Sequence, residues 1–261
     1  MYRKPKKSLG QNFLVDRNIR RKIVDNCQLQ KSDIVLEIGS GNGEITELIA
    51  GRVDKIHALE IDPYLCAVLK RALGAFKNVK IINQDILKLN PRNYFGKLTQ
   101  KIKVVGNIPY YIASPIITHL LEYRDMINKI FLTTQKEFAA RICAKPGSKD
   151  YGAFSCWVQY YSKPEVLFSI KNTCFSPVPK VDSSFLCLEM LSEPSVEVKD
   201  EGLFFRVIRR AFNQRRKTLK NSLKDVIPPE KLTRFFQEYR IDNRIRPEDL
   251  SLADFANLAS P

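Results

Sequence analysis

Asn107, Ile108, Pro109 and Tyr110 stand in a row directly after the apolar run Val104-Val105-Gly106. They offer an amide, a proline-fixed backbone and an aromatic ring. The Asn107 amide oxygen can accept a hydrogen bond from an amino N–H, and the carbonyl of Ile108 or Pro109 can accept a second. The Tyr110 ring can stack on a flat base. Such a set suits the grip of an exocyclic amine on a nucleobase. The plain alternative is a strand ending in a proline turn with a core tyrosine, and the surroundings decide between the two. In open α/β sheets ligands bind at the carboxyl ends of strands, where this row would lie.

Three further stretches reach for the same edge. Gly39-Ser40-Gly41-Asn42-Gly43 follows the strand-like run 33–38 and opens a helix over 44–51. Glycines let the backbone turn tightly and approach a ligand at the mouth of a helix. The spacing is G-x-G-x-G, and Glu44 stands where a dinucleotide fingerprint needs a small residue, which disfavours a dinucleotide oxidoreductase. Glu60 ends the strand 55–59 and follows Gly39 by 21 positions, the offset at which an acid reaches a ribose diol. Asp85 closes the strand 79–82 and suits an adenine amino group. Each feature alone is a turn or a solvated carboxylate. Four at one edge, in a βαβαβαβ order, are hard to assemble by chance.

The elements that must position them read plainly. Ile19, Ile23 and Val24 predict a helix over 17–28, and helices follow at 64–75, 114–122, 135–143 and 153–161. Strands are expected at 103–106, 129–133, 164–170 and 185–190. The link between the last two is too short for a parallel crossover, so that pair should be antiparallel. Residues 175–184 form a loop stiffened by Pro177 and Pro179, and residues 10–14 form an ordered turn that could close over a ligand. A boundary at 192–195 separates an α/β domain, 1–192, from a helical domain, 200–261.

At 261 residues the chain suffices for one large and one small domain. No run of about 18 apolar residues appears, and the first residues lack a charged-then-apolar stretch ending in a small-residue cleavage site, so a cytoplasmic protein is expected. Six scattered cysteines read as reduced thiols, and two distant histidines argue against a metal site. The net charge of +15 is concentrated. Residues 1–22 carry eight Lys/Arg and one Asp, and residues 206–224 carry eight and no acid. Two basic patches on a neutral body point to a polyanion. They lack an adjoining long apolar face, which disfavours a membrane surface.

With Lys7-Ser8-Leu9-Gly10-Gln11-Asn12-Phe13-Leu14, Glu37-Ile38-Gly39-Ser40-Gly41, Asn107-Ile108-Pro109-Tyr110, the Phe175 loop and Arg215-Arg216-Lys217-Thr218-Leu219-Lys220-Asn221-Ser222-Leu223 together, the chain resembles the ribosomal RNA adenine N6-dimethyltransferases nearly end to end. The resemblance implies an α/β fold: a seven-stranded Rossmann-like S-adenosylmethionine-dependent methyltransferase domain, mostly parallel with one antiparallel strand, plus a small all-α domain. It implies cofactor contacts at Asn12, Leu14, Gly39, Gly41, Glu60, Ile61, Asp85, Ile86 and Asn107. Catalysis falls to Asn107 and Pro109, with Tyr110 and Phe175 sandwiching the adenine. RNA contacts fall to Arg209, Arg210, Arg215, Arg216, Lys217 and Lys220. The implied reaction dimethylates two adjacent adenosines in the 3′-terminal hairpin loop of small-subunit rRNA during subunit assembly, by a monomer without metal. The alternatives are a large-subunit rRNA adenine methyltransferase of the macrolide-resistance type and a non-catalytic RNA-binding or transcription factor on the same fold.

Overall fold

The structure is a computed structural model that describes residues 10–214 and 217–260. The basic stretch 1–9 and the expected RNA contacts Arg215 and Arg216 lie outside the described residues. The strands are β1 (Phe13–Leu14), β2 (Ile34–Ile38), β3 (Lys55–Glu60), β4 (Val79–Asn83), β5 (Ile102–Asn107), β6 (Ile127–Gln135), β7 (Ser162–Ile170), β8 (Phe175–Ser176) and β9 (Ser183–Met190). The helices are α1 (Arg17–Asn26), α2 (Glu44–Ala50), α3 (Pro63–Ala72), α4 (Pro91–Phe95), α5 (Ala113–Glu122), α6 (Lys136–Ile142), α7 (Ala153–Tyr161), α8 (Glu201–Phe212), α9 (Leu219–Leu223), α10 (Pro229–Glu238) and α11 (Leu252–Ala259).

Seven strands form one sheet in the order β4-β3-β2-β5-β6-β9-β7. The pairs β2–β3, β2–β5, β3–β4 and β5–β6 are parallel, and β9 runs antiparallel to β6. Strand order reverses between β2 and β5, which opens a crevice at their carboxyl ends. The sequence explains this architecture. Residues 35–38 and 102–106 are buried throughout, as expected of parallel strands covered on both faces. Asp16 caps α1 by accepting from the Asn18 and Ile19 N–H groups, and Asp62 caps α3 through Tyr64, with Pro63 in the first turn. Leu14, Ile23, Val24, Val35, Ile49, Val105, Phe131 and Phe185 pack into one apolar cluster.

A second sheet departs from the sequence expectation. Phe13 and Leu14 pair antiparallel with Ser176 and Phe175, so the expected turn and the expected proline loop each contribute a short strand. The chain also divides differently from a single cut near residue 193. One compact unit runs to Ala139 and takes up Glu165–Met190, and the other comprises Ala140–Pro164 and everything from Leu191. Residues 140–164 join the second unit because α7 packs on α8. Tyr160 stacks near Phe204 at 5.1 Å, and the Glu201 carboxylate accepts from the Tyr161 hydroxyl at 2.9 Å. Helix α8 buries Phe204, Val207, Ile208 and Ala211, the stripe legible in the sequence. Among the described residues, no helix is long and apolar enough to cross a membrane.

Candidate active site

A cavity opens at the carboxyl ends of β2, β3, β4 and β5. Asn12, Gly39, Gly41, Glu60, Ile61, Asp85, Ile86, Asn107, Pro109 and Tyr110 all line it. The sequence places each of them at one site, and the parallel register explains the convergence: Ile38 pairs with Leu59 and with Gly106, so three strand ends lie level.

The turn after β2 holds Gly39 at φ +72°, a left-handed conformation that L side chains rarely adopt. A Cβ there would stand 3.5 Å from the Asn107 carbonyl, at the floor of the cavity. Glu60 is 4% exposed and braces this turn. One carboxylate oxygen accepts from the Gly41 N–H at 2.9 Å and the other from the Asp62 N–H at 2.9 Å. Burial pushes its pKa up, and these N–H groups counter the shift. Asp85 accepts from the Leu87 N–H at 3.0 Å, which caps the short 3₁₀ turn Ile86–Lys88.

Asn107 ends β5. Its Nδ2 donates to the Asn12 carbonyl at 3.0 Å, which ties the segment before β1 to the site and leaves Oδ1 as an acceptor. Pro109 leads into the 3₁₀ turn Tyr110–Ile112, and its carbonyl accepts from the Ile112 N–H. Tyr110 is half-buried, with its hydroxyl 2.6 Å from Ser183 Oγ. Ser183 is fully buried at the start of β9, in register with Gln135.

Two expected site residues lie elsewhere. Phe175 is 1% exposed and packs with Leu14, Ile23 and Val24 in the core. Pairing of β8 with β1 carries its ring into that cluster, so the sandwich of an adenine between Tyr110 and Phe175 is corrected: the structure does not present Phe175 to the cavity. Leu14 is likewise a core side chain, and its carbonyl accepts from Arg20 Nε at 2.7 Å. It borders a smaller polar hollow beneath the glycine turn, together with Glu37, Asn107 and Thr133. Burial pushes the Glu37 carboxyl up to about 7, although the Thr46 hydroxyl donates to it at 2.5 Å.

Sequence reasoning misses Ser183, Tyr111 and Glu37 as neighbours of the site. The Ser183 partnership joins residues 73 positions apart and follows from strand register. Glu37 is visible as an acid inside an apolar strand, the one available sign. In the helical unit Arg209, Lys217 and Lys220 are exposed, whereas Arg210 pairs with Asp225 at 2.6 Å. That acid lies just past the acid-free stretch 206–224.

The family model for ribosomal RNA adenine dimethylase matches residues 2–260. The chain is 44% identical to the ribosomal RNA small subunit methyltransferase A of Geobacillus thermodenitrificans, over 98% of this chain and 90% of that one. It is also 44% identical to the protein of that name from Caldanaerobacter subterraneus subsp. tengcongensis, over 98% and 97%. Among solved structures, a dimethyladenosine transferase from Plasmodium falciparum superposes with TM-score 0.80 at 26% identity, over 94% of this chain and 95% of that one. The 23S rRNA methyltransferase ErmE superposes with TM-score 0.76 at 25% identity, over 95% and 98%.

Proposed function

The chain belongs to the ribosomal RNA adenine dimethylase family, and from that membership we propose that it transfers methyl groups from S-adenosylmethionine to N6 of two adjacent adenosines in the 3′-terminal hairpin loop of small-subunit rRNA. The observation that carries this reading is the anchored amide of Asn107 at the end of β5, in the cavity that Glu60 and Asp85 also line.

The residues fit the cofactor. Gly39 makes a left-handed turn at the cavity wall, and Glu60 ends the neighbouring strand with both oxygens held in place. Glu60 would hold the ribose hydroxyls, Asp85 the adenine amino group, and Ile61 and Ile86 the adenine ring. Asn12, Gly39 and Gly41 would flank the remainder. The cofactor supplies a methyl group on a positively charged sulfur.

The chain's own task is to make N6 a nucleophile. That lone pair is conjugated into the adenine ring. In the first transfer, acceptors on both hydrogens favour pyramidal nitrogen and aim the lone pair at the methyl group; in the second, one hydrogen remains to be held. Asn107 Oδ1 is the first acceptor. The Pro109 carbonyl already accepts from the Ile112 N–H, which makes the Ile108 carbonyl the freer second acceptor. Tyr110 stacks on the base, its tip fixed by Ser183. After transfer the alkylated, positively charged N6 is strongly acidic and gives its proton to solvent water, so no dedicated general base is needed. A loop adenosine is the cheapest base to extrude into such a cavity.

Arg209, Lys217 and Lys220 would meet rRNA backbone in the assembling small subunit, with the protein acting as a cytoplasmic monomer. The fold shared with the 23S enzyme keeps large-subunit rRNA as the second reading, at 25% identity against 44% for the small-subunit relatives. Incubation with labelled S-adenosylmethionine and undermethylated small subunits, followed by mapping of modified bases, tests the proposal. Two neighbouring dimethyladenosines in the 3′-terminal hairpin are expected; unlabelled small subunits, with label appearing only in a parallel incubation with large subunits, would overturn it.

A further inference from the structure

Tyr111 follows Tyr110 directly, lines the rim of the same cavity and is 64% exposed. Single exposed apolar residues are ordinary, so exposure alone says little. This ring, however, has the backbone of Gly10 along one edge. Gly10 lies against it at φ +58°, and a Cβ on Gly10 would stand 2.9 Å from Tyr111 Cε1 and 3.3 Å from Pro109 Cβ. One edge of the ring therefore rests on the bare backbone of the segment that Asn107 anchors through Asn12, while much of the remaining surface faces solvent. A ring seated along one edge and open on the rest has fewer positions to give up when a ligand stacks on it.

The substrate geometry creates a need for such a ring. Drawing one base out of a stack strips its covalent neighbour of a stacking partner, and that neighbour must stay at the cavity rim. Base–aromatic stacking can replace that partner, and it tolerates any base because every base has a π-face. We propose that Tyr111 is a second nucleobase subsite, a stacking platform for the nucleotide adjoining the adenosine held at Asn107 and Tyr110. This subsite rests on the methyl-transfer reading above.

The test compares Tyr111→Ala and Tyr111→Phe with wild type on undermethylated small subunits, with cofactor affinity and thermal stability measured on the same samples. Removal of the ring should raise KM for subunits by about 5- to 150-fold, with cofactor affinity and melting temperature retained. Tyr111→Phe keeps the π-face and should weaken binding less than about 3-fold. An unchanged KM in Tyr111→Ala overturns the subsite, as does a Phe variant as weak as the Ala variant, which would assign the effect to the hydroxyl. Cofactor affinity falling as far as subunit affinity would make Tyr111 a cofactor cover and overturn it too. Failure of the wild-type chain to methylate subunits would overturn the reading and the subsite together, whereas normal wild-type transfer with an indifferent Tyr111→Ala overturns the subsite alone.

Discussion

At the scale of single residues the site depends on side chains that each serve two partners. Asn107 donates to the Asn12 carbonyl and keeps Oδ1 as an acceptor, the one proposed for the N6 hydrogen. Asn107→Ala should lose at least ~10²-fold in single-turnover transfer at saturating cofactor and subunit, since a preorganised polar partner of the transition state is gone. Asn107→Asp keeps an acceptor but sets a carboxylate against the Asn12 carbonyl, so it should recover little of that loss; activity within ~5-fold of wild type in either variant would refute the role. Ser183 serves the sheet end and the Tyr110 tip. Ser183→Ala and Tyr110→Phe should each lower kcat/KM about 5-fold, near the worth of a neutral hydrogen bond. The double variant should fall no further than either single one, whereas additive losses would show two independent effects. Asn107, Glu60 and Asp85 are legible in the sequence because strand ends and glycine turns are local patterns. Ser183 is not, because no local pattern announces a partner on a distant strand.

At the scale of elements, β8 shows where local reading fails. Two prolines, Pro177 and Pro179, signal a loop, yet backbone pairing with β1 makes Phe175 and Ser176 a strand. Phe175→Ala should destabilise the protein by about 3–5 kcal/mol as a buried aromatic is removed. Phe175→Leu, which refills much of the space, should restore most transfer activity. Normal stability of the Ala variant with abolished transfer would instead return Phe175 to the site. On β3, His57 is partly buried, with Nδ1 2.8 Å from the Tyr94 hydroxyl on α4. Burial first, then Lys80 and Lys55, pushes its imidazole down to about 4. The unfolded chain, with an ordinary value near 6.5, takes up the proton first. Stability from this group is thus present above about pH 6.5 and lost as pH falls toward 4. His57→Gln can keep a bond to Tyr94 without titrating, so its melting temperature should fall less steeply than wild type over that window. Parallel curves would remove His57 from the account.

At the scale of the whole molecule the basic excess is the simplest property and the least uniform in effect. Arg209, Lys217 and Lys220 are exposed, while Arg210 is paired with Asp225. Replacing the three exposed residues with Ala should flatten the salt dependence of subunit binding by roughly 0.7–0.9 log–log units for each phosphate that is no longer neutralised. Arg210→Ala should flatten it less, and equal slopes in wild type and the triple variant would exclude these residues from the rRNA interface. The two-strand pairing of Phe13–Leu14 with Phe175–Ser176 has a consequence for the order of events during synthesis. A ribosome delivers Asn12 and Asn107 long before Phe175 emerges. The nascent chain can lay down β2 to β5 early, but the segment that carries Asn12 has no strand to pair with until β8 is made. Completion of the cavity is therefore a late event in translation, and a half-made chain presents a sheet whose pocket does not yet have its Asn12 segment in place.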